Sequence, residues 1–400
     1  MSPGPAAAAP SFRLAALLTT LVALGPLSTD LYLPSLPTLA TVFATDAARV
    51  QLTLSVYLAG FAVAQLAYGA LSDRFGRRPL MLGGLLLYFL ASLGCLLAPS
   101  IELLIAARFV QAVGACAGPV LGRAIVRDVW GPVEAVRVLA YVSGAMAVAP
   151  LLGPTLGGYL TVWFGWQANF VLLAVFSALQ LAAVRAWLAE SNRHRDPAAT
   201  QPRRILGNFR RLLGDRNYVG YLLALTFSYS ALFAFISGSA FVLIGRFALS
   251  PQAFGLCFGL VVAGYLSGSL LSGRLVRRHG GDRLLLAGGG LGAVAGAAML
   301  GLELAGTQHL AAVLAPMFFV TVAVGLVMSN AVGQALAPYP QMAGAASSLM
   351  GFCQMGIAAV AGSLVGHGLD AAPTVLPMTV AGCALLVPLS FLALVRHRPA

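Results

Sequence analysis

Lysine is absent from this chain, and all 24 of its basic residues are arginine. Acids are scarcer still, 12 in all, and charged residues make up 9% of a sequence that is 59% hydrophobic. Too few polar side chains remain to coat a water-soluble core, so a soluble globular domain is excluded and a polytopic helical membrane protein is expected. Five cysteines, Cys95, Cys116, Cys257, Cys353 and Cys383, lie in or beside apolar runs. Their odd number and spacing make neither a disulfide framework nor a metal site, and no metal is expected. No phosphate-binding loop is present either, because the glycine run at 288–290 follows no strand. An intramembrane enzyme would need a nucleophile with a base, or a metal cluster, and neither is found, so no enzymatic activity is expected. The net charge of +12 is not gathered into an aromatic-interleaved basic domain, which argues against nucleic acid.

What is present is a series of apolar runs of roughly 20 residues, the length needed to cross a hydrocarbon core of about 30 Å. Twelve candidate spans are centred near Val22, Gly60, Leu87, Ala112, Ala149, Ala174, Ser230, Leu260, Leu291, Val320, Ala358 and Leu385. The first is too long, and too plainly interrupted by Asp30 and prolines, for a signal peptide's apolar core, and is expected to stay as a helix. A polar segment separates six spans from six. The chain therefore divides into an N-terminal bundle at 1–188, a cytoplasmic basic linker at 189–216 and a C-terminal bundle at 217–400. Within the linker, Ile205, Leu206, Phe209, Leu212 and Leu213 alternate with Arg203, Arg204, Arg210 and Arg211 at roughly helical spacing, which fits either an amphipathic helix on the inner membrane surface or a solvated charged linker. GALSDRFGRRP at 69–79 is echoed, in degraded form, by GSLLSGRLVRRHG at 268–280, so the halves read as duplicated.

With a cytoplasmic N-terminus, one set of loops holds 21 of the 24 arginines. Only Arg49 and Arg246 fall on the other side, and Arg108 lies inside a span, so both termini are expected to be cytoplasmic. Anionic lipid of the inner leaflet is the expected partner of this charge.

Asp30, in LGPLSTDLYLPSLP, is an acid deep within an apolar span, and an intramembrane carboxylate marks a functional site. It lies about 25 Å along a helix from Arg13, and Arg108 lies about 12 Å along its span from Ser100, so both charges fall in the outer half of the bilayer. A facing pair is geometrically allowed, and since either charge alone in lipid costs several kcal/mol, mutual satisfaction or a wet cavity is required. A group pulled one way by loss of water and the other by a guanidinium can change its charge state, whereas arginine does not release its proton. Asp30 is therefore expected to bind the coupling proton, with Arg108 modulating it. The second half offers no intramembrane acid between Tyr218 and Leu302, which places any proton coupling in the first half.

Gly69, Leu71, Asp73, Arg74, Gly76, Arg77 and Arg78 resemble the signature loop of the major facilitator superfamily between spans 2 and 3. STDLYLPSLP in span 1, RFVQAVG from Arg108 in span 4 and APLLGPTLGG in span 5 resemble its drug:proton antiporter branch, in particular the Bcr/CflA-type exporters, and PQMAGAASSL near span 11 extends the likeness. The resemblance implies an all-α membrane protein of twelve transmembrane helices in two pseudo-symmetric six-helix bundles. It implies a monomeric, multi-pass protein of the bacterial inner membrane that needs no cofactor beyond the proton gradient. By the same resemblance, Gly69, Asp73, Arg74, Gly76, Arg77 and Arg78 control the conformational switch. Asp73 is expected to meet a helix N-terminus, such as that of span 11 near Pro340, in only one of two arrangements, and Arg77 and Arg127 to exchange partners with Asp73 and Asp128. Pro150, Gly153, Pro154, Gly157 and Gly158 match an antiporter motif; its glycines bring backbones close, with Gly264 and Gly268 in span 8 as facing partners. A pocket for small hydrophobic drugs is expected among Tyr32, Tyr57, Phe61, Gln111, Tyr229, Phe233, Asn330 and Gln334, apolar with a few polar anchors. His367 and Glu303 are expected to be solvated at span ends. The expected function is proton-coupled export of bicyclomycin-, chloramphenicol- or sulfonamide-like compounds by alternating access. The alternative is a proton-coupled symporter for a small nutrient or metabolite.

Overall fold

In the computed structural model, residues 11–146, 148–192, 195–369 and 372–396 are described; Arg193 and Arg398 lie outside them. No strand occurs among the described residues. Among the described residues eleven helices are long and apolar enough to cross a membrane: span 1 (Phe12–Val42), span 2 (Ala47–Phe75), span 3 (Arg77–Leu96), span 4 (Ile101–Gly131), span 6 (Gln167–Trp187), span 7 (Arg216–Arg246), span 8 (Pro251–His279), span 9 (Gly281–Leu304), span 10 (Leu310–Leu336), span 11 (Pro340–Gly368) and span 12 (Val375–Leu394). Span 5 is the twelfth. The chain breaks helix at Gly131, with φ of +70°, and a helix is described again over Val148–Phe164. Between spans 6 and 7 lies the linker helix, Pro202–Leu213.

Polar side chains set where helices begin. Asp46, Ser100, Asp215 and Ser250 each accept hydrogen bonds from the first free backbone N–H groups of spans 2, 4, 7 and 8, which satisfies donors that apolar surroundings would leave bare. The duplication is visible as a constant offset of 204 residues. Ala44 and Ala248 both take positive φ in the turns before spans 2 and 8, Asp46 and Ser250 cap those spans, and Gly76 and Gly280 take positive φ after them. Gly60 of span 2 packs on the Phe109 carbonyl of span 4, and Gly264 of span 8 packs on the Phe318 carbonyl of span 10 in the same way. At this offset Asp30 corresponds to Ala234 and Asp73 to Arg277, so the second half keeps the packing of the first without its acids.

The halves meet most closely at the end of the bundle away from the linker, called here the far end. Gln51 of span 2 donates from its amide to the Ser237 carbonyl of span 7, and the Ser237 hydroxyl donates back to Gln51 Oε1. Gly366 of span 11 lies over the Gln51 side chain. Spans 5 and 8 close the other side, with Gly158 against the Pro251 carbonyl and Gly255 against the Thr155 backbone. Spans 2 and 11 also touch farther toward the linker end, where Ser348 Oγ donates to the Gln65 carbonyl at 2.7 Å.

Candidate functional site

Regular helix in span 1 ends at Asp30, and a single 3-10 turn, Leu33–Ser35, precedes the short helix Leu36–Val42. Prolines at 34 and 37 supply no N–H for an α-helical ladder, which accounts for the break. Asp30 is 4% exposed and accepts a hydrogen bond from Thr29 Oγ1 at 3.1 Å. Of the two ways to satisfy these charges, the ion pair with Arg108 is not formed: among the described residues Asp30 has no basic group within 4 Å. Arg108 is fully buried and donates from one nitrogen to the Ser28 carbonyl at 3.1 Å and to Gln111 Oε1 at 2.6 Å. The reason is rotation about the helix. At 3.6 residues per turn, positions 28 and 30 project about 160° apart, so the face that meets Arg108 turns Asp30 away from it.

Arg108 is held by rings instead of an acid. Its guanidinium lies 4.3 Å from the Tyr57 ring centre, 5.0 Å from Tyr32 and 6.0 Å from Phe170. Each such contact is worth about 0.5–2 kcal/mol and offsets part of the cost of burying the charge. Polar groups behind it form a chain: Gln111 Nε2 donates to Ser92 Oγ at 2.8 Å, which donates to the Tyr88 carbonyl, and the Tyr88 hydroxyl shares a 2.6 Å hydrogen bond with Ser28 Oγ. Gln111 and Tyr32 thus belong to the interior of the first half and do not line a space between halves.

Asp30 faces span 5 and the second half. A Cβ at Gly153 would sit 3.0 Å from the Asp30 Cβ, and one at Gly157 would sit 1.8 Å from the Leu31 carbonyl oxygen. Only glycine lets span 5 lie on the broken segment of span 1 so closely. Pro154 falls inside this helix and Pro150 in its first described turn. Gly264 and Gly268 are not the partners of these glycines; they pack on Phe318, Thr321 and Val322 of span 10, and Gly255 takes the role in span 8. Across the halves, Tyr229 of the second lies within electrostatic range of Asp30 and Tyr57 of the first. Phe61 sits beside Tyr57, with ring centres 6.4 Å apart, and Phe233 stacks with Tyr229 at 6.3 Å. Asn330 and Gln334 lie elsewhere. Asn330 Nδ2 donates to Ser272 Oγ at 2.8 Å, and Gln334 reaches Gly281 at the turn between spans 8 and 9. The Asn330 amide satisfies itself on a neighbouring helix and Gln334 lies against the start of span 9, so both belong to second-half packing.

At the linker end, Arg77 joins two acids, with 2.6 Å to Asp73 Oδ1 and 3.2 Å to Asp128 Oδ2. Arg127 is exposed and forms no ion pair among the described residues. Asp73 meets Arg77 and the linker rather than the start of span 11: its carbonyl accepts from Asp196 N and from Asn192 Nδ2, both at 3.0 Å. Glu190 accepts from the backbone N–H of Arg77 at 2.9 Å and of Arg78 at 3.2 Å, capping span 3. Gly76 is needed twice over, since its φ is +105° and a Cβ there would meet Glu190 Oε2 at 2.5 Å. Gly69, by contrast, faces nothing within 4 Å. Arg74 donates to Thr200 Oγ1 at 2.7 Å, and Arg78 to the Arg185 carbonyl at 3.0 Å. Outside the membrane, the Ala198 N–H and then Arg204 hold the Asp196 carboxyl below the usual carboxylate range. Sequence reasoning missed Glu190, Asn192, Gln51 and Ser237. The available signals were the first acid after span 6 and a lone amide one turn into span 2. At the far end Glu303 is not solvated; it pairs with Arg246 at 2.7 Å and its side chain is 10% exposed, while His367 is exposed.

A bundle of twelve spans in two pseudo-symmetric halves, with a charged clasp between spans 2 and 3 and a buried acid in span 1, is the architecture of a membrane transporter. The family model described as Major Facilitator Superfamily matches residues 18–363, and the chain belongs to that family. It is similar to a chloramphenicol resistance protein of Pseudomonas aeruginosa, at 33% identity over 85% of this chain and 80% of the relative. It is also similar to a bicyclomycin resistance protein homolog of Haemophilus influenzae, at 29% identity over 92% of each. Among solved structures, that of a D-xylose–proton symporter superposes with a TM-score of 0.73 at 14% identity, covering 96% of this chain and 98% of the other. That likeness concerns the fold alone.

Proposed function

We propose that this protein is a proton-coupled antiporter that exports small, mainly apolar antibiotics of the bicyclomycin, chloramphenicol or sulfonamide type by alternating access. It works as a monomer in the bacterial inner membrane with both termini cytoplasmic, and the proton gradient drives it without a cofactor. The observation that carries this reading is Asp30, an acid buried between the halves with no basic partner within 4 Å among the described residues. A lone ionised carboxylate costs several kcal/mol in such a setting, so its charge state must change as the surrounding space opens and closes. Tyr57, Phe61, Tyr229 and Phe233 provide the apolar walls with hydroxyl anchors that such substrates require. Resistance to two antibiotics in the names of similar proteins supports the substrate class. Arg108, two helix faces away, orients span 1 rather than pairing with the acid. One inward proton releases about 2.3 kcal/mol per 100 mV and about 1.36 kcal/mol per pH unit. Together these sustain roughly a few-hundred-fold gradient of a neutral solute.

The test uses acid-loaded everted vesicles. Adding amphenicols, sulfonamides, bicyclomycin-like compounds or lipophilic cations is expected to release protons, and Asp30→Asn is expected to abolish the release. Uphill export by Asp30→Asn would refute the coupling role. Inward accumulation of a labelled nutrient under an outside-acid gradient would replace export with symport.

A further inference from the structure

The linker helix Pro202–Leu213 carries an apolar face that protein covers only in part. Phe209 and Leu212 turn toward the second half, where Leu212 is fully buried and Phe209 packs on a cluster that includes Tyr218 and Tyr221. Leu206 and Leu213, seven residues apart and so on one line of the helix, are 69% and 53% exposed. Arg203 and Arg210 are also seven apart and lie about 40–80° around the axis from that line. Both are exposed, with no acid within 4 Å among the described residues. Span 7 starts at Arg216, so the helix sits where a membrane-spanning segment leaves the bilayer. Two leucines bordered by two guanidinium groups at that height match the boundary between acyl chains and phosphates.

We propose that this line is a docking surface for anionic phospholipid. Leu206 and Leu213 enter the acyl boundary, Arg203 and Arg210 hold lipid phosphates, and the docked helix steadies the signature loop. The connection to that loop is short. Arg204, the residue after Arg203, pairs with Asp196 at 2.5 Å, and the Asp196 N–H donates to the Asp73 carbonyl at 3.0 Å. Asp73 in turn holds Arg77. A lipid that fixes the linker helix therefore acts on the carboxylate pair that grips Arg77. In the cell this rests on the proposed orientation, which puts the linker against the anionic leaflet.

The test uses the full chain in nanodiscs of phosphatidylcholine with increasing phosphatidylglycerol. Leu206→Cys, more exposed than the buried or half-buried native cysteines, carries an environment-sensitive label. The label is expected to shift to the blue as phosphatidylglycerol rises, and amide exchange at residues 72–76 is expected to slow several-fold. Each arginine contributes about five-fold to partitioning onto an anionic surface. Arg203→Gln with Arg210→Gln is therefore expected to weaken the response about 25-fold, while the paired Arg→Lys changes preserve it. Three results would overturn the proposal: no dependence on phosphatidylglycerol, equal response in the glutamine variant, or the same shift from inorganic phosphate over phosphatidylcholine alone. A label shift with unchanged exchange at 72–76 would overturn the link to the signature loop. Nanodiscs present both leaflets alike and no substrate is added, so failure here leaves the exporter reading intact, and failure of Asp30→Asn leaves this one intact.

Discussion

Gly157 and Gly158 are neighbours in span 5 that press on different helices, and alanine at each position separates two consequences. At Gly157 a Cβ would lie 1.8 Å from the Leu31 carbonyl oxygen and 2.7 Å from its carbon; at Gly158 it would lie 2.4 Å from the Pro251 oxygen. Real Cβ contacts stay above 3.0 Å. The first change thus demands a shift of about 1.2 Å and the second about 0.6 Å, both against backbone that has no rotamer to adjust. Overpacking of this kind costs about 1–3 kcal/mol and rises with the displacement. Spans 1 and 5 belong to one half, so the cost of Gly157→Ala falls on folding and moves Asp30. Spans 5 and 8 belong to opposite halves, so the cost of Gly158→Ala falls only on the arrangement with the far end closed. At about 1.4 kcal/mol per tenfold, Gly158→Ala is expected to enlarge the far-end-open population roughly 5- to 150-fold. The assays are thermal unfolding of purified protein and labelling of Ser239→Cys, fully buried at the far end, by a membrane-impermeant maleimide. Gly157→Ala should unfold at lower temperature; Gly158→Ala should label faster with little thermal change. Gly290→Ala, which meets nothing within 4 Å, serves as the control. Normal stability in Gly157→Ala, or lost stability without faster labelling in Gly158→Ala, would refute the reasoning.

Gln51→Ala removes the amide that joins spans 2 and 7 and leaves the Ser237 carbonyl without that donor. At about 1–3 kcal/mol for a buried group so exposed, the same Ser239→Cys labelling is expected to rise about tenfold, and an unchanged rate would remove Gln51 from the far-end closure. Glu190→Ala uncaps span 3 and is expected to cost about 1–2 kcal/mol, seen as faster protease cleavage between positions 190 and 200; protection equal to the parent would show that the cap is dispensable. Arg108→Lys keeps a charge but loses the planar group that lies over Tyr57 and donates to Ser28 and Gln111. Its melting temperature should fall markedly, and a parent-like value would mean that charge alone suffices.

The twelve spans were legible because apolar length is a property of composition along the chain and needs no knowledge of neighbours. The duplication was legible through one loop, and the structure extends it to Ala44 with Ala248 and to Gly60 with Gly264. The orientation of Asp30 was not legible. Depth follows from counting residues, but the direction of a side chain depends on where the helix stops, and span 1 stops at the residue in question. Partners of glycines escaped for a related reason: a small residue states that something comes close, not what. Gly264 and Gly268 have the spacing of an interface between halves and serve packing inside one half. Asn330 and Gln334 show the same ambiguity for amides. Glu190, Gln51 and Ser237 act singly, outside any spacing pattern, and only the folded chain brings Glu190 to the start of span 3.

The arrangement of these contacts explains how a proton at Asp30 reaches the far end on the proposed reading. The acid sits at the break in span 1, and Gly153 and Gly157 lay span 5 directly on that break. The next residue, Gly158, touches Pro251 of span 8, so one helix thickness separates the acid from an inter-half contact. No long pathway is required. A change of charge that moves the Asp30–Leu31 backbone by a fraction of an ångström alters a contact that tolerates no extra atom, and tightly packed surfaces respond to such shifts by switching rather than by bending. The opposite side of the far end is held by the Gln51–Ser237 hydrogen bonds, which carry no charge. Those hydrogen bonds contain no titratable group, so on the proposed reading a proton at Asp30 acts through spans 5 and 8. A pH dependence of far-end opening that survives in Gln51→Ala but vanishes in Asp30→Asn is the outcome this geometry requires; dependence that persists in Asp30→Asn would place the sensor elsewhere.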